Sequence, residues 1–180
     1  MVAADDWLDT LPGAAWNADL DRVAFLLAAG TDPDTTTPAK TALTTDKTAL
    51  MEAVDEPEEW FSDVHEAIVG ALLQAHADVA RADGDGRTAL HYAAWAGPRA
   101  VRLLLDAGAD PNARATDGTT PLHECVEEGG LEVARLLVAA GADVTARRDD
   151  GLTPLDLARA ELTRSPDDGA RRLLDFLENG

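Results

Sequence analysis

Apolar residues in this chain recur at helical spacing in short bursts, and the bursts come in pairs. Between 85 and 116, Leu90, Ala93, Ala94 and Gly97 follow one another at i, i+3, i+4 and i+7, a narrow stripe of small residues. Gly97-Pro98 interrupts it, proline being suited to a first helical position, and Val101, Leu104 and Leu105 form a second stripe. Thr88 stands before the first stripe as an N-cap, and Gly108 after the second supplies a left-handed C-cap. Asp110-Pro111-Asn112 then opens an extended turn. The pattern predicts two short antiparallel helices and a connecting loop. Neither helix can bury its stripe alone, so the unit requires a neighbour.

Neighbours are written into the chain. DGRTALH at Asp85–His91 returns as DGTTPLH at Asp117–His123 and DGLTPLD at Asp150–Asp156, with the threonines 32 and then 33 residues apart. A closing phrase also repeats, LLLDAGADPNAR at Leu103–Arg114 and LLVAAGADVTAR at Leu136–Arg147. A fixed period of this length means stacked supersecondary units. The passage TPLHECVEEGGLEVARLLVAAGADV, Thr120–Val144, resembles the ankyrin repeat, whose pattern runs G-x-T-P-L-H-x-A-A-x-x-G-H-x-x-V-V-x-L-L-L-x-x-G-A-D-x-N-A. The resemblance implies an all-α repeat solenoid of about five helix-turn-helix units with protruding hairpin fingers, and a concave face made by fingers and first helices. It also implies that the motif histidines His91 and His123 bond neighbouring loops.

We divide the chain into one domain of five units: an N-terminal cap at 1–44, repeats at 45–84, 85–116 and 117–149, and a C-terminal cap at 150–180. The second unit is seven residues longer than the standard 33, adding DEPEEWFSD at Asp55–Asp63, and puts His76 where a C-cap glycine belongs. Its helix could start at Thr41 or Thr48. Thr48 fits better, because Leu50, Ala53 and Val54 reproduce the buried stripe. The first unit keeps only Ala14–Asp34, and a loop at 31–45 follows it. Trp7 is assigned to the cap core. In the fifth unit, Ser165-Pro166-Asp167-Asp168 is expected to restart the second helix with a serine cap and a proline at its first position. Arg159 there replaces a buried small residue, as suits a last unit facing water.

Composition narrows the partners. The 180 residues are 46% apolar but only 4% aromatic, so small side chains do much of the packing. Net charge is −19, with 17 acids against four bases in residues 1–84 and 17 against 11 in 85–180. Phosphate backbones and anionic membrane surfaces are therefore poor partners, and a basic protein a good one, drawn more strongly by the N-terminal half. A plain well-solvated surface is the competing explanation. Cys125 is the single cysteine, so no internal disulfide forms. An acidic N-terminus and no apolar run near 18 residues point to a cytoplasmic protein, and a monomer is expected. Two lysines against thirteen arginines suit a G+C-rich, bacterial genome.

Candidate sites follow from the register. Catalytic, metal and cofactor sites are not expected. His65 and His76 have no metal-ligand spacing, no glycine loop cradles phosphate, and Cys125 occupies a buried-stripe position, where a structural thiol is favoured over a reactive one. One residue past the stripe, a helix position about 140° from the stripe leucine escapes full burial. Trp16 and Asn17, Asp55 and Glu56, Trp95, and Glu127 and Glu128 fill this and the following position in successive units, and the resemblance places both on the concave groove. Tryptophans there would anchor a partner, while the alternative is that Trp16 seals the cap and Trp95 packs on a finger. Trp60 in the insertion is either a second contact or a cover. The finger residues Lys47, Asp85, Arg87, Asp117, Thr119, Asp150 and Leu152 complete the rim. The function expected is non-catalytic protein binding through an acidic, Trp-containing face. An inhibitor or immunity-type antagonist of a basic enzyme or toxin is the alternative, a structural spacer a third, and an enzyme using the inserted loops the remotest.

Overall fold

Ten helices form among the described residues of the computed structural model, which are 9–36, 46–57, 59–127 and 130–179. They pair as α1 (Leu11–Trp16) with α2 (Leu20–Ala28), α3 (Ala49–Val54) with α4 (Asp63–Gln74), and α5 (Ala89–Ala96) with α6 (Pro98–Asp106). The series continues with α7 (Pro121–Glu127) and α8 (Leu131–Ala139), then α9 (Pro154–Arg164) and α10 (Asp168–Asn179). Odd-numbered helices touch in order to make one layer, and even-numbered helices touch in order to make the other. Between the layers runs a single apolar core, from Leu11 at one end to Leu177 at the other.

The expected stripes are the buried ones. Leu50, Ala53 and Val54 in α3 align with Leu90, Ala93 and Ala94 in α5, all essentially inaccessible. Leu11, Ala14 and Ala15 continue the same register in α1. Thr48 caps α3, its Oγ1 accepting from the Met51 N–H at 3.3 Å, so the Thr48 start is the one adopted. The competing Thr41 start, most of the 31–45 loop and Trp7 lie outside the described residues. His76 takes the left-handed backbone (φ 64°) that Gly108 takes one unit later (φ 88°), as its C-cap place requires.

Two corrections concern the fifth unit and a finger. The cap of α10 is Asp167, whose Oδ1 accepts from Ala170 N–H at 2.8 Å. Ser165 instead closes α9. Proline 166 therefore precedes the cap rather than following it; a carboxylate next to the helix start outcompetes a hydroxyl two residues earlier. Thr119, expected on the exposed rim, is only 3% exposed. Its carbonyl is committed to two bonds, from Ala115 N–H within the finger and from His91 across units.

Histidines tie unit to unit. His91 Nδ1 faces two donors, the Thr88 N–H at 3.1 Å and the Thr88 hydroxyl at 3.0 Å. Nδ1 is thus unprotonated, and the proton sits on Nε2, which donates to the Thr119 carbonyl of the next finger at 3.2 Å. His123 repeats the arrangement with Thr120 and the Leu152 carbonyl. In the fifth unit Asp156 replaces histidine and accepts from Thr153 N–H and hydroxyl. The fingers also bond edge to edge, Thr116 N–H to Asp85 carbonyl and Asp149 N–H to Asp117 carbonyl, both 2.9 Å. Gly86 lies so close to the next finger that a Cβ would stand 2.9 Å from Thr116 N.

Burial pushes the His91 imidazole below its ordinary range, against the opposing pull of its Thr119 bond. A base depressed in the folded state contributes nothing above the unfolded pKa and costs stability as pH falls beneath it. His91→Ala strands the buried Thr88 N–H and removes the bond to Thr119, a loss of about 2–4 kcal/mol at pH 7.5. In urea melts the gap between wild type and His91→Ala is expected to narrow from pH 7.5 to 5.5, since only wild type carries the depressed histidine.

Candidate protein-recognition face

The inner layer presents the residues that follow each buried stripe. Trp16 ends α1 and is 48% exposed, and Asn17 beside it is exposed as the C-cap. Trp95 near the end of α5 is 36% exposed. Asp55 and the half-buried Glu56 take this place between them, after α3. Glu127 ends α7, but its side chain and the whole of Glu128 lie outside the described residues. Because α1, α3, α5 and α7 are consecutive neighbours, Trp16, Asp55 and Trp95 fall on one side of the layer.

Two acids on this side of the layer pair with basic residues of the fingers. Lys47, placed on the rim by the register, folds inward to pair with Asp55, and both side chains are under a fifth exposed. The Lys47 ammonium also stands 4.1 Å from the centre of the Tyr92 ring. Tyr92 in turn donates to Asp83 Oδ2 at 2.5 Å. One unit on, Arg87 directs Nε and Nη2 onto Glu124 Oε1, each at 3.0 Å. Of the other finger residues, Asp85, Asp117, Asp150 and Leu152 are exposed. Desolvation would raise the Asp117 carboxyl, but bonds from Thr119 and the nearby Arg148 and Arg87 hold it below its usual range.

Glu52 lies behind this network, between Lys47, Asp55 and Glu56. Burial drives its carboxyl up to about 7; Lys47 opposes that rise, and Asp55 and Glu56 add to it. No sequence pattern marks Glu52, because it occupies the position of Tyr92 and Glu124, which varies between units.

The insertion is a built structure. Trp60 and Phe61 N–H both bond the Pro57 carbonyl, making a turn at whose edge Trp60 is 67% exposed while Phe61 is 3% exposed. Phe61 stacks on His65 at 5.6 Å between centroids. Arg99 from the next unit clamps the segment, with Nη1 to the Phe61 carbonyl at 2.7 Å, Nη2 to Asp63 at 3.0 Å and Nε to Glu66 at 3.0 Å. Trp60 therefore does not cover the lengthened helix pair; Phe61 does. Arg99 escaped the sequence reading because its partners lie more than thirty residues away.

Cys125 is fully buried, with Sγ donating to the Leu122 carbonyl at 3.3 Å, and burial pushes its thiol far up. Among the described residues, no group of three or more His, Cys, Asp or Glu is arranged to hold a metal, and no helix is long and apolar enough to cross a membrane.

Comparison with known proteins follows the same register. A family model described as ankyrin repeats (3 copies) matches residues 11–115 and 68–148. A BTB/POZ domain and ankyrin repeat-containing protein of Oryza sativa subsp. japonica is 53% identical over 58 residues, 31% of this chain and 12% of that protein. Protein fem-1 homolog A-like of Mus musculus is 41% identical over 58 residues, covering 32% and 9%. Neurogenic locus notch homolog protein 4 of Homo sapiens is 46% identical over 65 residues, covering 36% and 3%. The chain thus matches no more than 12% of the length of these three relatives.

Two outcomes test the geometry. An acid whose folded pKa is raised stabilises the fold fully below its unfolded value of about 4.5 and loses that contribution as pH rises through about 7. Glu52→Gln, which mimics the protonated acid, should therefore match wild type near pH 4.5 and exceed it at pH 8 by roughly 1–2 kcal/mol after solvent screening, read by denaturant melts. Arg99→Ala should leave the stack folded but speed hydrogen exchange at the Trp60 and Phe61 amides, measured by mass spectrometry.

Proposed function

This chain belongs to the ankyrin repeat family, and on that premise we propose that its inner-helix and finger face engages a partner protein with a basic surface. Ankyrin repeats generally mediate protein–protein interaction and are typically non-catalytic. The observation that carries the reading is Trp95. It stays 36% exposed in a layer whose stripe residues are sealed, and it shares its register with the exposed Trp16. Large aromatics held at half exposure on a rigid element are the residue type that dominates interface energetics.

Charge supports the second half of the proposal. Lys47–Asp55 and Arg87–Glu124 neutralise one another inside the groove, so steering falls to the exposed acids such as Asp85 and Asp117 and to the overall −19. The mechanism is rigid docking: long-range attraction raises the encounter rate, and the preordered tryptophans set the dissociation rate.

Quantitative capture from native lysate, read by isotope-ratio mass spectrometry, tests it. Trp95→Ala should lower retention of the partner about tenfold or more. Phe25→Ala, at the 62% exposed outer-layer position, should not change it. Retention should also weaken as salt rises through the physiological range. Unchanged retention by the Trp16→Ala, Trp95→Ala double variant would sink the proposal.

A further inference from the structure

Between the third and fourth units, Arg87, His91, Tyr92, Trp95 and Glu124 enclose a shallow pocket of about 130 Å³. Pockets that hold whole small-molecule ligands run to roughly 300–1,000 Å³, so this one suits a single side chain. The rings of Tyr92 and Trp95 line it together with His91 and the ion-paired Arg87 and Glu124. One ring already takes a cation from within the chain, the Lys47 ammonium 4.1 Å from the Tyr92 centroid. The pocket's own guanidinium, Arg87, has Nε and Nη2 turned onto Glu124, which offsets its charge. Asp83, Asp85 and Asp117 in the adjoining fingers then leave the surroundings net negative.

These features select among side chains. An apolar guest would desolvate the Glu124 carboxylate without replacing its hydrogen bonds, and an acidic guest would meet the excess of carboxylates. A cation suits both the rings and the carboxylate. Of the two, guanidinium is planar, weakly hydrated, stacks on indole and bonds a carboxylate in its own plane, whereas ammonium holds its water. We infer that this pocket receives the guanidinium of one arginine from the partner, stacked on Trp95 and hydrogen-bonded at the Glu124 edge. The inference rests on the proposal that the inner face is the recognition face, and narrows it to one residue of the partner.

The test uses N-acetyl-arginine methylamide as probe, titrated into the full chain and followed by nitrogen–proton correlation NMR. Saturable shifts centred on the Trp95 indole Nε1–H are expected, with dissociation constants on the order of millimolar. The lysine analogue should bind at least about threefold more weakly, and the neutral citrulline analogue should not saturate. Trp95→Ala, followed at the backbone amides of Tyr92 and Glu124, should abolish the saturable shifts there, while the rest of its amide spectrum reports whether the stack remains folded. Equal binding of the arginine, citrulline and glutamate analogues to wild type overturns the assignment without any variant, as does absence of a saturable shift at Trp95. Partner capture that depends on Trp95 while the arginine probe fails would reject the pocket and leave the face. A bound probe with Trp95-independent capture would do the opposite.

Discussion

Every helix here is too short to persist by itself. They run from six to twelve residues, at or below the length at which isolated helices are marginal in water. Each therefore exists because its neighbour does, and the contact between units is what the rest of the structure depends on. Small residues at Ala14, Ala53 and Ala93 allow the inner helices to approach closely, and the leucines beside them supply buried area. The histidine ties add to this packing. Each joins a helix start to the following finger, so that a stripe cannot shift against its neighbour without breaking a buried hydrogen bond. That role requires a neutral imidazole with one nitrogen accepting and the other donating, which no other side chain offers in the same footprint.

The same dependence decides where the chain is free to vary. Stripe, cap and tie positions are committed to the stack, so differences between units accumulate just past the stripe, at Trp16, Asp55 and Trp95, and in the fingers. Variation there still obeys local electrostatics. Lys47 and Asp55, in a half-buried setting, settle their charges against each other, and Arg87 does so with Glu124. The charge these residues present to a partner is accordingly smaller than a count of acids implies. On the proposed reading, stacking and recognition use different residues of the same helices, so a substitution in one set need not disturb the other.

Which features were legible in the chain follows from how far apart the interacting residues lie. Helix pairing, the Thr48 start, the left-handed His76 and the structural histidines are set by residues within a turn or two, or by the repeat itself. The burial of Thr119 was missed because its neighbours, not its own polarity, decide its exposure. Asp167 displaced Ser165 as a cap because two acceptors competed for one helix start, a choice that sequence spacing alone leaves open. The Arg99 clamp and the link from Asn112 Nδ2 to the Gly141 carbonyl both span about one unit of sequence, and nothing in either local pattern announces them. The tryptophan row was visible only through the register. Its pairing partners were not.

The insertion shows how a strict stack tolerates seven extra residues. They enter at the junction between two helices of one unit, where the chain already leaves the core, and not in a finger, where Gly86 meets its neighbour closely. Phe61 supplies a small apolar anchor, and Arg99 of the next unit satisfies the carbonyl and carboxylates that the excursion brings with it. The ordering cost of the segment is thus met within the folded protein, before any partner arrives. What remains outward is Trp60, on the turn that joins α3 to α4. Trp95, the penultimate residue of α5, lies at that same end of the next unit's first helix. A surface reaching both would meet two exposed aromatics on consecutive units.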